Sequence, residues 1–448
     1  SIKKYGRWPW SREIVGDMVE KLAAAGAKVI GLTILYTEPQ LDPGLKWIRE
    51  LRSDYAQATA PDAAFARKLA DAEIALDADG RLAGSLGKAG NVILPMFMTI
   101  GEPLGNPDAP LPDYAARFAL ANIDDPLATG AVPVPTIAAT LPIEALGAVA
   151  KGIGHLNNLP DVDGGIRSEL LVVGHYDKFL PSQSLLIAAA SLNLGVDEVK
   201  VNLGDSVELG GLRIKTDDAL QMKTFFYRGG GPERPAFAID SFYDVAVGNI
   251  PIDNYKGKIV LIGPTAFGLG DSFVTPLGGE PVAPVLVMAH TVASILNEDF
   301  FVSPGAATLI ELAVLLAVAA YLIALLPRLK AGPAAIVSFG LIVALLGTEI
   351  ALMTTQATWL QLASAATLLF VGHLVLTTKR FLVAEAGKAR SDVESAASNK
   401  DLGLSYQQQG QLDMAFERFR RVPLDDSMMD TLMILAGDYE KKRQFNKA

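Results

Sequence analysis

The sequence predicts an α/β domain on a mainly parallel sheet flanked by helices, then an all-α segment of three membrane helices, then an α-helical repeat tail. Three observations carry that prediction. Helical and extended patterns alternate from Ser1 to about Pro304. Three apolar runs follow one another, Thr308 to Leu326, Ala334 to Met353 and Leu360 to Leu376. Near the end, Leu402, Tyr406, Leu412 and Ala415 recur as Leu435, Tyr439, Phe445 and Ala448, a constant shift of 33 residues.

A chain of 448 residues has room for two or three domains. Half of it is hydrophobic, more than a soluble enzyme usually carries. There is no cysteine, which excludes disulfides and thiolate chemistry. The net charge is −10, with the acidic excess before the apolar runs, which argues against nucleic acid or anionic lipid as the partner of that part.

The elements of the first domain follow in order. Ser11 is an N-cap candidate, Glu13 suits the positive end of a helix dipole, and Ile14, Val15, Met18, Val19 and Leu22 recur at helical spacing until Gly26. Val29 to Leu35 reads as a buried strand. This helix and strand make the second half of a β-α-β unit, so a strand is expected before Ser1. "DAAFARKLADAEIAL" reads as a helix and "GNVILPMFM" as a strand. "GAVPVPTIAATLPIEALGAV" reads as a Pro-rich loop and a short helix, and "SQSLLIAAASLNLG" as a helix. "KGKIVLIGPT" is a strand running into a glycine-rich loop, and "APVLVMAHTVASILN" starts extended and turns helical.

Charges orient the apolar runs. Arg328 and Lys330 follow the first, no basic residue follows the second, and Lys379 and Arg380 close the third. Basic residues mark the cytoplasmic side, so residues before about 305 lie outside. Phe300, Phe301 and Trp359 fall at outer edges, where aromatic rings favour the interface. Glu311 and Glu349 lie near outer ends, where a carboxylate costs less, and His373 near the inner end fits packing or an interhelical hydrogen bond. The expected divisions are 1–304, 305–378, a helical connector at 379–398, and repeats at 399–448.

Three stretches carry a resemblance. "GRWPWSREIVGDMVEKLAAAGAKVIGLTILYTEP", "GHLNNLPDVDGGIRSELLVV" and "YKGKIVLIGPTAFGLGDSFVTPLG" occur in this order. Together they closely resemble the type-2 CHASE domain, an extracytoplasmic sensory module of bacterial receptors, in which three membrane helices follow the domain. The resemblance covers roughly Ser1 to Thr378. It implies a signal anchor upstream and a place in the bacterial inner membrane. Thr33 stands where that family usually has an acid, and Met288 where it often has His, with His290 two residues on. The tail is similar to tetratricopeptide repeats, in which large residues on one helix pack against small ones on its partner. Its second copy stops short at Ala448, so further chain is expected. In the family that continuation is an output domain, and the repeats look most like those of the serine/threonine kinase group.

Candidate site residues come from three motifs. Asp161, Asp163 and Arg167 of "PDVDGGIR" have the oxygens for a hard cation, but too few of them for a calcium loop. Asp and Gly there also suit a tight turn clamped by Arg167. Asp271 closes "GPTAFGLGD", whose backbone could cradle an anion although it lacks the phosphate-loop lysine. Trp8, Trp10 and Arg12 of the "RWPW" segment read either as an aromatic lid over a ligand or as a fixture for the start of the helix. His155, His175, His290 and His373 have no metal-binding spacing, and no G-x-S-x-G or kinase motif occurs, so no cofactor, metal or catalytic centre is expected.

The reading is a membrane-bound signal receptor. It would take a small molecule or protein on the outer side, dock a protein at the repeats, and form homo-oligomers through Gly340, Gly347 and Ala-rich helix faces. The alternatives are a membrane-anchored scaffold without enzymatic output, and a transporter accessory protein using Glu311 and Glu349.

Overall fold

The computed structural model describes all residues except 7, 41, 59–61, 108, 126–129, 231–234, 267–271 and 447–448. Helix α1 (Arg12–Ala24) forms because Val15, Met18, Val19 and Leu22 share one buried face, and Gly26 turns the chain at φ +81°. Strand β1 (Val29–Leu32) is buried throughout, as its four apolar or small residues allow. Helices α2 (Pro43–Ala56), α3 (Ala63–Leu76) and α4 (Ala78–Ala89) are capped by Asp42, Asp62 and Asp77, each accepting from a backbone N–H of the first turn. They carry the chain across to strand β2 (Val92–Ile100), parallel to β1 through Ile30↔Val92 and Gly31↔Ile93.

The second half of β2 pairs antiparallel with β3 (Pro135–Thr140), and its first half pairs parallel with β4 (Gly152–His155). Strand β5 (Val172–His175) runs parallel to β3 and antiparallel to β6 (Lys178–Pro181). After helix α5 (Gln183–Ser191) the chain returns to place β7 (Ile259–Ile262) on the free edge of β1, again parallel. Helix α6 (Pro284–Asn297) follows. Four of the six pairings in this seven-stranded sheet are parallel, as expected. Helices cover both faces: α1 and α4 bury Val19, Leu82 and Leu86, while α5 and α6 bury Ile187, Met288 and Val292. Smaller sheets lie at 122–124 with 199–215 and at 168–170 with 221–224 and 300–301.

Three local readings change. Pro135–Thr140 is a strand rather than a loop, because two neighbouring strands supply partners that its prolines alone do not advertise. Helix α6 is helical from Pro284, since proline fits the first turn. Phe300 is buried in a short strand against Thr224 instead of lying at an interface.

Contacts divide the chain into two compact units, Ser1–Pro304 with Leu352–Trp359, and Gly305–Ala351 with Leu360–Ala448. In the second, helix α7 (Ala307–Ala320) continues as a π turn (Tyr321–Leu325) and a 3-10 turn (Leu326–Arg328). Helices α8 (Ala331–Gln356) and α9 (Ala363–Gln408) complete three candidate membrane spans. Their lateral surfaces are bare apolar side chains, with Val318, Leu322, Leu326, Ala334, Ala365 and Leu369 buried between them. Helix α9 runs 46 residues without a break, from apolar span into polar tail. Helices α10 (Leu412–Phe419) and α11 (Asp426–Lys441) then pack around Ala415, Leu435 and Tyr439, with the Phe419 ring on Gly403.

Candidate ligand site at the carboxyl edge of the sheet

Strands β7, β1, β2 and β4 point the same way, so the loops after β7, β1 and β4 leave from one edge. Chain order reverses between β1 and β7, and open α/β sheets bind ligands outside the carboxyl ends of strands at such a reversal. The loops meet there. Thr33 Oγ1 donates to the Ile262 carbonyl at 3.3 Å, and the Ile166 N–H donates to the Val274 carbonyl at 2.8 Å. Gly263 is required by this approach, since a Cβ there would lie 2.2 Å from Thr33 Oγ1.

Arg12 begins α1 at this edge and is 7% exposed. Its guanidinium pairs with Asp79 of α4, donates to the Glu38 carbonyl and lies over the Tyr36 ring, 5.1 Å from the centroid. Asp79 also accepts from the Gln40 N–H at 3.0 Å. Arg12 therefore stitches α1, the loop after β1 and α4 together, and its charge is spent inside the protein. Burial lowers its pKa and pushes the Tyr36 hydroxyl well above the ordinary tyrosine range, so Tyr36 stays a neutral donor.

The "PDVDGGIR" loop is a closed clamp. Arg167 Nη1 lies 2.6 Å from Asp161 and Nη2 lies 2.7 Å from Asp163, while Asp163 Oδ1 accepts from the Gly165 N–H at 3.0 Å. Gly164 takes φ +77°, and the Gly164 N–H donates to the Asp161 carbonyl to tighten the turn. Hydrogen bonds from Arg167 and Gly165 hold the Asp163 carboxyl well below the usual carboxylate range. Trp8 and Trp10 stack edge-on at 5.1 Å, and Trp10 packs on Tyr5 and Phe242, each at 5.2 Å. These rings clip the start of the chain to the helix at Phe242–Val247. Asp271 lies outside the described residues. The candidate residues thus fall into separate networks: Arg12 with Tyr36 and Asp79, the Arg167 clamp, and the tryptophan clip.

A family model, the CHASE2 domain, matches residues 1–326. The chain belongs to the CHASE2 family. No curated protein and no solved structure matches it. Together with three apolar helices, this CHASE2 domain makes the chain a candidate membrane sensor with an extracytoplasmic sensory part.

The CHASE2 fold also buries polar residues that sequence reasoning passed over. Gln183 opens α5 and is fully buried. Its Nε2 donates to the Leu32 carbonyl at 2.7 Å and the Ile93 carbonyl at 3.0 Å, filling the gap where β1 and β2 part. Asn157 is bound at both ends to the Met98 backbone, at 2.9 and 2.6 Å. Gly154 faces the Gln183 backbone, so His155, the next residue, points to the opposite face of the sheet. Neither nitrogen of His155 has a partner, and burial depresses its pKa to about 3. Glu169 is driven the other way, up to about 8, by burial that its hydrogen bonds with Ser184 and Ser182 only partly offset. His290 sits among the rings of Phe226, Tyr227 and Phe237, its Nδ1 accepting from the Tyr227 N–H at 3.1 Å, and burial lowers it to about 4. No local pattern marks these residues; only "GHLNN", by placing polar groups directly after a strand, hinted at two of them.

A cleft of about 390 Å³ opens at the other end of β2 and β4, lined by Ile93, Gly152, Leu186 and Ala189. Arg117 borders it but gives its Nη2 to the carbonyls of Gly147, Ala148 and Ala150. None of the motif residues lines this cleft, so the carboxyl edge remains the better candidate.

Proposed function

We propose that the protein is the input part of a bacterial inner-membrane receptor, with its CHASE2 domain outside and residues 379–448 in the cytoplasm. The observation that carries this reading is α9, which leaves an apolar span and continues unbroken into the polar tail. A rotation or shift at one end of such a helix reaches the other without a hinge. A signal at the carboxyl edge can act only through unequal affinity for two states. Because Arg12 and Arg167 are spent on internal carboxylates, the signal proposed is an uncharged polar molecule or a protein surface, bound by hydroxyl and backbone groups such as those of Thr33 and Tyr36. The tail would serve as tetratricopeptide-like repeats, a reading supported by Leu435 and Tyr439 packing as their sequence counterparts suggest. The output would be a serine/threonine kinase further along the polypeptide.

A scaffold without enzymatic output is favoured by one feature, the exposed Met429, Met433 and Ile434 along α11. Homo-oligomerisation is proposed from Gly340 and Gly347 of α8, which have no neighbour within 4 Å. A monomer by mass photometry in mild detergent would count against it.

Topology is the first test, and the absence of native cysteine makes it clean. Val162→Cys should react with a membrane-impermeant maleimide in intact cells, and Arg390→Cys only after permeabilisation. Labelling of both from the same side removes the receptor reading. Kinase motifs in the coding sequence beyond Ala448 would support the kinase output; further repeats alone would favour the scaffold.

A further inference from the structure

Within the helical unit, one chain of polar groups joins all three apolar helices. Tyr321 Oη lies 2.8 Å from Ser338 Oγ, which lies 2.8 Å from His373 Nδ1. Ser338 is 3% exposed, although α8 as a whole is bare. In hydrocarbon each of these groups would be costly without the next, so the chain fixes which residues of the three helices face each other.

The chain starts at an irregularity. Tyr321 opens the π turn Tyr321–Leu325, which holds one residue more than an α turn over the same length. Two further contacts grip this stretch from α9. A Cβ on Gly372 would stand 2.5 Å from Leu322 Cδ1, so the helices touch there only because Gly372 has no side chain. Arg380 donates to the carbonyls of Leu326 and Leu329, both at 3.1 Å, closing the end where α7 runs out of hydrogen-bond partners. Gly372, His373 and Arg380 recur at helical spacing and share one face of α9.

We infer that Tyr321, Ser338 and His373 form a latch that holds the π turn against α9, and that its release is the switching step of the helical unit. Once the hydroxyl chain opens, the turn relaxes to α geometry. The residues after it rotate by about 100°, the angle one residue occupies on a helix, and α9 loses its grip on them. Helix α9 is then free to turn as one body down to Gln408. The two positions of the turn are the bistable element that coupling through a membrane requires. This goes beyond the receptor reading, because it concerns helix geometry whatever the ligand or output is.

The test uses the full chain in lipid nanodiscs. Arg328→Cys and Glu385→Cys, both exposed, take spin labels in a chain free of other thiols. The parent should give one narrow distance by double electron–electron resonance. Ser338→Ala and Tyr321→Phe should each add a population displaced by roughly 5–8 Å, the chord swept on a helix about 10 Å across, and speed amide exchange over Tyr321–Leu325. Ser338→Thr, which keeps the hydroxyl, should restore the parent distance. Deleting Ala324 removes the extra residue and should populate the displaced state alone. If Ser338→Ala does not insert, Tyr321→Phe, which loses a single oxygen, carries the comparison. An unchanged single distance in Tyr321→Phe or in the Ala324 deletion overturns the latch and leaves these contacts as static packing, even if thermal stability falls.

Discussion

In the α/β unit, Arg12 holds together α1, the loop after β1 and α4, while Gln183 spans β1 and β2 from the start of α5. In the helical unit each backbone satisfies itself, and polar side chains are reduced to the Tyr321–Ser338–His373 chain and the Arg380 clasp. The first unit therefore spreads the loss of one polar group over several elements, whereas the second confines it to one turn. A sheet with buried charge has few ways to fail gently. Helices in an apolar solvent keep their hydrogen bonds when they move, so they can shift without unfolding.

The largest expected effect lies in the α/β unit. Arg12→Ala leaves the Asp79 carboxylate buried without its partner, and should cost about 3–5 kcal/mol. Chemical denaturation of the detergent-solubilised chain, followed by fluorescence of Trp8 and Trp10, would measure it. A loss below about 1 kcal/mol, the range of exposed pairs, would mean that Arg12 behaves like a surface ion pair and would erase the contrast between the units.

A second effect sharpens the comparison through pH. Glu169 has a folded pKa of about 8 against an ordinary 4.5, so the folded state holds more protons between those values. Its contribution is full below about 4.5 and is lost as pH rises to about 8. His155 and His290, lowered from 6.5 to about 3 and about 4, act oppositely: their contribution is full above about 6.5 and fades as pH falls. Two histidines outweigh one carboxyl between 4.5 and 6.5, so stability should peak near 6.5 and decline towards 8. Glu169→Gln should flatten the alkaline decline and leave the acid side unchanged. Melting curves from pH 4 to 9 would decide, and an unaltered alkaline slope would remove Glu169 as its source.

The smallest effect belongs to the clamp. Asp163 and Arg167 are solvent-exposed enough that water replaces much of what each gives the other. Asp163→Asn should shift the melting midpoint least of these variants, while the Gly164 turn persists. A shift as large as that of Arg12→Ala would show that the turn holds the loops after β4 and β7 together.

Much of this architecture was legible in the residues. The 3.6-residue spacing of Val15, Met18, Val19 and Leu22 specified α1, and the three motif stretches led to the CHASE2 family. His373 was expected to pack or bond between helices, and it bonds Ser338. The candidate site was less legible. "PDVDGGIR" was readable as a clamp because its partners lie within six residues, but the partner of Arg12 lies on α4 and those of Gln183 on two strands. Pro135–Thr140 was mistaken for a loop for the same reason, because strand pairing is decided by neighbours distant in sequence.

By itself the sequence determined what depends on a few adjacent residues: helix periodicity, apolar length, basic flanks, tight turns and motif order. Tertiary structure alone decided which polar groups are buried, which carboxylates neutralise Arg12, and where Tyr321, Ser338 and His373 meet. The physical reason is that burial and pairing energies depend on distance in space. Residues far apart along the chain are brought within hydrogen-bond reach only when the strands and helices between them have packed.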